Sequence, residues 1–249
     1  AIVAAVWYLR VEEGEREQEA LRRDVEYAQQ RVRLRLLERQ EQLMRIARDL
    51  SNHDMERTQF DQRAEALVTQ YPELQAITWI DERGRIRATH AAPTIAGNQM
   101  RVAGEVLKPG TTTFDTFGLT RDLQQPVYAQ PESSKSDAVP LLQLHVPMNV
   151  QGQFGGVVLG EYSIDSLLRY ATPTEVLARY AVTLIDQNRQ LLAGSSLPPR
   201  GQAAQWVPWS AKANEYEVPV SPVGNGLVLR AQAYRTSLGV VGSGLFWLV

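Results

Sequence analysis

From Val11 to about Leu50 the chain is charged, free of proline, and apolar at Leu21, Val25, Ala28, Val32, Leu36, Leu43, Ala47 and Leu50. Steps of three, four and seven put these residues on one stripe of a long helix, with Arg and Glu on its other faces. The stripe fits a helix packed on its own domain, and a helix that also seams a homodimer. A second helix is predicted from Met55 to Tyr71, closed by Pro72. The period then changes to two. Ala76 to Asp81 reads as a strand, Glu82-Arg83-Gly84 as a turn, and Arg85 to Thr89 as the return strand. Residues 97–108 have room for a short helix, and the β-branched, aromatic run Thr111 to Phe117 reads as another strand. Residues 129–137 form a polar loop. Leu141 to Val146 and Phe154 to Tyr162 read as two further strands, and Ser163 as the cap of a helix through Tyr170.

The pattern then recurs. Ala181 to Asp186 repeats the alternation of Ala76 to Asp81, with Asn188-Arg189 in the turn and Gln190 to Leu192 returning. Val218-Pro219-Val220 and the strand Leu227 to Tyr234 echo Val146-Pro147-Met148 and Val157 to Tyr162. The second copy is shorter by about 33 residues, lost between its opening and closing hairpins. Two versions of one α/β module follow, of which the first keeps a full set of loops over its sheet.

The ends differ from the middle. Residues 1–9 and 237–249 carry no charge, and aromatics stand beside arginine at Trp7, Tyr8, Arg10 and at Tyr234, Arg235. Each run is shorter than the ~20 residues of a membrane span, so these are expected to be the end of one transmembrane helix (1–10) and the start of another (237–249). Between them lie a signalling and dimer helix (11–50), a membrane-distal module (51–165) and a smaller membrane-proximal module (166–236). In this reading the chain is a loop in the periplasm, anchored in a bacterial inner membrane at both ends.

Composition narrows the function. The 249 residues carry a net charge of -2 and no cysteine. Disulfides, thiolate metal sites and a catalytic thiol are excluded, and the charge balance argues against a nucleic-acid partner. Three scattered histidines offer no metal signature, and no P-loop, nucleophile elbow or dinucleotide fingerprint is present. No cofactor and no catalytic site are therefore expected. Ser195 and Ser196 without a nearby histidine make a poor start for a hydrolase, and His53 reads as a surface or capping residue.

A long helix, a second helix and tandem sheet modules between apolar ends resemble the extracytoplasmic double PAS-like (PDC, or double Cache) region of bacterial sensor histidine kinases and chemoreceptors. The resemblance implies an α+β fold, in which a long N-terminal helix carries two tandem antiparallel-sheet modules. It also implies a small-molecule ligand in the distal module and an output domain, such as a kinase core, beyond Val249. A receptor of the chemoreceptor or diguanylate cyclase type, and a module that senses a partner protein without a ligand, are the alternatives. A narrower likeness is to the C4-dicarboxylate and citrate sensor kinases, where an Arg-x-x-His segment ends the second strand. Arg87-Ala88-Thr89-His90 matches it here. The arginine that family carries before its closing hairpin is replaced by Gln143, with His145 two residues on, so a monocarboxylate or more neutral ligand fits as well. Gln143 and His145 share one strand face, and two polar donors there call for water or a ligand. The expected site for a small organic acid is thus Arg87, His90, Gln143 and His145, with hydroxyls from Thr111 and Thr113 and Tyr128 as a phenolic lid. With a protonated histidine as donor, affinity for an anion is expected to fall as pH rises through ~6.5.

Overall fold

The computed structural model describes residues 2–95, 97–131, 139–195, 215–220 and 222–234. The first helix, α1, runs from Ile2 to Ser51, about 75 Å at the usual rise. Every residue of the apolar stripe is buried on it, joined by Ile46 and by two polar residues, Gln29 and Arg39. Before Leu21 the helix is largely exposed, and Ile2, Val3, Trp7, Tyr8 and Leu9 stand in solvent. Among the described residues no helix is long and apolar enough to cross a membrane. The apolar run 237–249 lies outside the described residues.

The chain leaves α1 through His53, which adopts a left-handed φ of 58° and is exposed. Helix α2 (Arg57–Gln70) buries Phe60, Ala64 and Val68, and Phe60 meets Trp79 with ring centroids 5.9 Å apart. Five strands follow in the first sheet: β1 (Leu74–Asp81), β2 (Ile86–Ala91), β3 (Val127–Tyr128), β4 (Leu141–Val150) and β5 (Gln153–Ser163). All neighbours are antiparallel, in the order β2-β1-β5-β4-β3. Ser163 caps α4 (Ile164–Ala171) by accepting from the Ser166 amide, and α5 (Thr174–Arg179) leads into the second sheet. That sheet has the order β7-β6-β9-β8, built from β6 (Tyr180–Ile185), β7 (Leu191–Gly194), β8 (Glu215–Pro219) and β9 (Val228–Ala233).

Alternation decides which face is which. Leu142, Leu144, Val146 and Met148 join α1 and α2 in one core that continues through Leu184 and Leu229 of the second sheet. The approach is close: a Cβ at Gly160 would lie 2.5 Å from Leu43 Cδ1. The opposite face of the first sheet has a smaller cluster of Ile80, Ile86, Leu107, Phe117, Val157 and Leu159.

That cluster is covered by a helix where the β-branched run points to a strand. Residues Thr112–Leu123 form helix α3, not a strand. Thr111 is its N-cap, accepting from the Phe114 amide, and Asp115 stands in its first turn. The Thr116 and Thr120 hydroxyls donate to the carbonyls of Thr112 and Thr116. The β-branched residues thus bond back along the helix instead of pairing in a sheet. Within 97–108 the helical part is a single 3₁₀ turn, Gly97–Gln99.

The internal repeat is visible in both turns. Asp81 Oδ1 accepts from the amides of Arg83 and Arg85 at 3.0 Å, and Asp186 Oδ1 accepts from those of Asn188 and Gln190 at 2.8 Å. In each, a left-handed residue closes the turn, Gly84 at φ 77° and Arg189 at φ 62°.

Candidate functional site

An open cavity of about 1210 Å³ lies over the outer face of the first sheet. Gln143 and Glu161 form part of its floor, and Thr112, Thr113 and Thr116 of α3 one wall. The register fixes the floor. Gln143 pairs with Glu161 and His145 with Leu159 across β4 and β5, and Ala76 and Thr78 continue these rows on β1.

The floor carries one connected polar group. Arg101, from the loop before α3, grips Glu161 with both arms of its fork, Nε donating to Oε1 at 2.7 Å and Nη2 to Oε2 at 3.2 Å. Its Nη2 also donates to Thr113 Oγ1 at 3.1 Å. Gln143 Nε2 donates to Thr113 Oγ1 at 3.0 Å and to Glu161 Oε2 at 3.3 Å. Gln143 Oε1 lies 3.3 Å from His145 Nε2. With the amide nitrogen committed to the carboxylate, Oε1 accepts, so the histidine carries its proton on Nε2. The Glu161 side chain is 2% exposed and that of Arg101 18% exposed, so one ion pair with a buried anion and a more open cation stands at the cavity floor.

His145 is fully buried. Burial, with the Arg101 guanidinium as a lesser cause, pushes its pKa down to about 3. It is neutral at physiological pH, and its Nδ1 is buried without a hydrogen-bond partner. The expectation of a protonated histidine giving a charged bond to an anion is corrected here: desolvation beside a guanidinium disfavours the second proton.

The other expected residues separate. Thr113 is in the polar group, and Thr111 lines the cavity while capping α3. Tyr128 borders the cavity, but it pairs with Leu144 and its hydroxyl donates to Gln40 Oε1 of α1 at 3.3 Å, so the phenol is tied to the helix side. His90 pairs with Ile77, whose side chain is in the core on the helical face, so His90 faces away from the cavity. Arg87 falls at the irregularity between the Trp79–Ala88 and Ile80–Ile86 pairs. It is 55% exposed and 3.8 Å from Asp81. The structure does not bring Arg87 and His90 to the cluster; the bulge and a one-residue change of face put them elsewhere.

Two principal residues, Arg101 and Glu161, were missed. Glu161 had a signal: it is the only charge in the run Phe154 to Tyr162, in phase with Leu159 and Val157. Arg101 had none, because its place is set by the loop's path over the sheet. Among the described residues no cluster of His, Asp and Glu is arranged to hold a metal.

No protein-family model and no curated protein sequence matches the chain. Solved structures do. The ligand-binding domain of the Pseudomonas aeruginosa amino-acid chemoreceptor PctC, in complex with GABA, aligns with a TM-score of 0.56 at 13% identity, covering 87% of this chain and 99% of that one. That of PctB from the same organism, in complex with L-Arg, gives 0.58 at 14%, covering 88% and 95%. The ligand-binding domain of Pseudomonas fluorescens chemoreceptor CtaA, in complex with L-serine, gives 0.57 at 12%, covering 88% and 97%. At these identities the likeness is one of fold: a long helix carrying two antiparallel sheets, shared with the ligand-binding domains of chemoreceptors.

Proposed function

We propose that this chain is the ligand-binding region of a transmembrane signalling receptor and that its cavity takes a small zwitterion of the amino-acid class. The observation that carries the reading is the Arg101–Glu161 pair at the cavity floor. A cation and an anion side by side present a charge pattern that matches a carboxylate and an ammonium on one small molecule. A dicarboxylate would bring a second negative charge toward Glu161, and like charges at short range are repelled. Thr113 and Gln143 add neutral hydrogen-bonding groups beside the pair. The solved structures of the same fold point the same way, since those domains were captured with GABA, L-Arg and L-serine.

The proposal includes a location in the bacterial inner membrane, with this region in the periplasm. The support is the uncharged run at each end of the chain and the exposure of Ile2, Trp7, Tyr8 and Leu9 on α1. A homodimer through α1 is part of the proposal, with Tyr27 and Leu34, both more than half exposed, as outward apolar groups. The chemoreceptor likeness favours a chemotaxis output over a histidine kinase.

A thermal-shift screen of the 20 amino acids, GABA and C4-dicarboxylates against the purified region tests the assignment. The expected result is a rise in melting temperature with at least one amino acid and none with succinate. Stabilisation by succinate alone would overturn the zwitterion reading, and no shift with any compound would favour a module that reads a protein partner.

A further inference from the structure

The cavity over the first sheet is not walled by the first module alone. Asp186, Gln187 and Asn188, in the β6–β7 turn, and Asn225, before β9, line its far side. Hydrogen bonds join these turns to the segment just after β3. The Asn225 side-chain amide donates to the Ala129 carbonyl, and the Gln130 and Gln187 amides face each other at 3.4 Å. The Ala129 amide in turn donates to the Gln143 carbonyl at 2.9 Å, and Gln143 carries the polar group on the floor. The two turns of the second module are braced against each other. Gly226 has φ +86°, and a Cβ there would lie 2.7 Å from the Gln187 Cβ.

We infer that the second module completes the cavity and is latched to its rim through Asn225–Ala129 and Gln187–Gln130, so that the state of the first module's cavity is passed directly to the second sheet. The part that moves is the edge of the first sheet. Strand β3 has only two residues, paired to β4 on one side and anchored to α1 through Tyr128, so beyond it the backbone of 129–130 is held by the Gln143 carbonyl and by the latch. A bound molecule between the floor and the β6–β7 turn touches both modules, and any preference for one spacing biases the latch. Coupling of this kind is reciprocal, so loosening either side loosens the other. The inference does not depend on the identity of the ligand.

Hydrogen–deuterium exchange on the ligand-free 249-residue chain tests it. Gln187 is exposed and Asn225 half-buried, so Asn225→Ala combined with Gln187→Ala should leave the circular dichroism unchanged. The expected result is exchange at least about fivefold faster in residues 127–131, the size for a single lost hydrogen bond where the double variant removes both contacts of the latch, with β4 and β5 unaffected. In the reverse direction, Ala129→Pro removes the amide that ties the edge to β4, and residues 186–190 and 224–227 should exchange faster. Should that variant fail to fold, Gln130→Ala on the exposed side of the latch serves as the reverse arm. Unchanged exchange across the module boundary in both directions would overturn the latch.

Discussion

The two sheets share a turn, the order of four strands and a register, and among the described residues they differ in the extra edge strand β3 of the first and in what stands on their outer faces. In the first, Ala76, Glu161 and Gln143 form one cross-strand row and Thr78, Leu159 and His145 the next. In the second, Ala181, Gln232 and Glu215 occupy the first row and Thr183, Arg230 and Glu217 the next. Both copies thus place polar groups at matching positions, but the charges are balanced differently. On the second sheet the cations sit on the sheet itself and its turn. Arg230 lies 2.7 Å from Glu215, and Arg189 pairs with Glu217. On the first sheet the cation is brought by a loop, and Arg101 reaches down to a carboxylate that no neighbour on its own sheet neutralises. That loop lies in the connection that is shorter in the second copy. A duplicated scaffold thus carries a cavity where a longer connection brings a cation from above, whereas among the described residues the second sheet's carboxylates are paired by arginines of its own strand and turn.

The spine also grips the two sheets unequally. At the start of β1, Glu73 is fully buried between Arg35 and Arg39, at 2.7 and 3.2 Å, and Arg39 lies over the Tyr71 ring. Burial opposes ionisation of Glu73, but hydrogen bonds from Arg35, its own backbone and Arg39 prevail and hold its pKa below the usual carboxylate value. The second sheet is tied by phenols, Tyr180 to Asp24 and Tyr216 to Glu26. Glu73→Ala strands a buried guanidinium and is expected to cost about 3–5 kcal/mol, read as a lower urea midpoint. A loss under about 1 kcal/mol would remove the inequality.

The next effect separates the modules by pH. The unfolded chain protonates His145 near the ordinary 6.5, whereas the folded chain resists until about 3. Stability from this group is therefore present above 6.5 and lost as pH falls from 6.5 toward 3, with a slope of about 1.4 kcal/mol per unit. Between pH 7 and 5 the wild type should lose about 2 kcal/mol more than His145→Asn. Parallel pH profiles would show that His145 is not held neutral. Ligand affinity, by the same argument, takes no pH dependence from His145 between pH 6 and 8.

Smaller still, Tyr180→Phe removes one hydrogen bond to a carboxylate and should cost about 1–2 kcal/mol in the same denaturation assay. Arg189→Ala breaks an ion pair whose cation is 61% exposed, and the denaturation midpoint should not move. A clear loss there would show that the charge pairs of the second sheet are structural.

Much of this was legible in the residues. The stripe from Leu21 to Leu50 defined the buried side of α1, and the recurrence of Ala76 to Asp81 at Ala181 to Asp186 reflected a true repeat of strand and turn. Alternation on β4 placed Gln143 and His145 on one face, and that face is the one toward α3 and the cavity side. Other features depend on contacts that composition does not show, some local and some remote in sequence. The Thr-rich run became helical because Thr111 caps it and its side chains bond within the helix. Arg87 was displaced by a bulge and His90 by the facing rule of a strand, neither written in local composition. Arg101 reaches its partner across 60 positions of sequence.

The central claim is that the Arg101–Glu161 pair selects a zwitterion, and isothermal titration calorimetry on wild type, Arg101→Ala and Glu161→Gln tests it most directly. With L-serine, L-arginine, GABA and succinate as titrants, the wild type should bind at least one amino acid and not succinate. Arg101→Ala should abolish that binding, and Glu161→Gln should weaken it while admitting a plain carboxylate. Amino-acid binding that survives both substitutions unchanged, or a wild type that takes succinate in preference, would contradict the account.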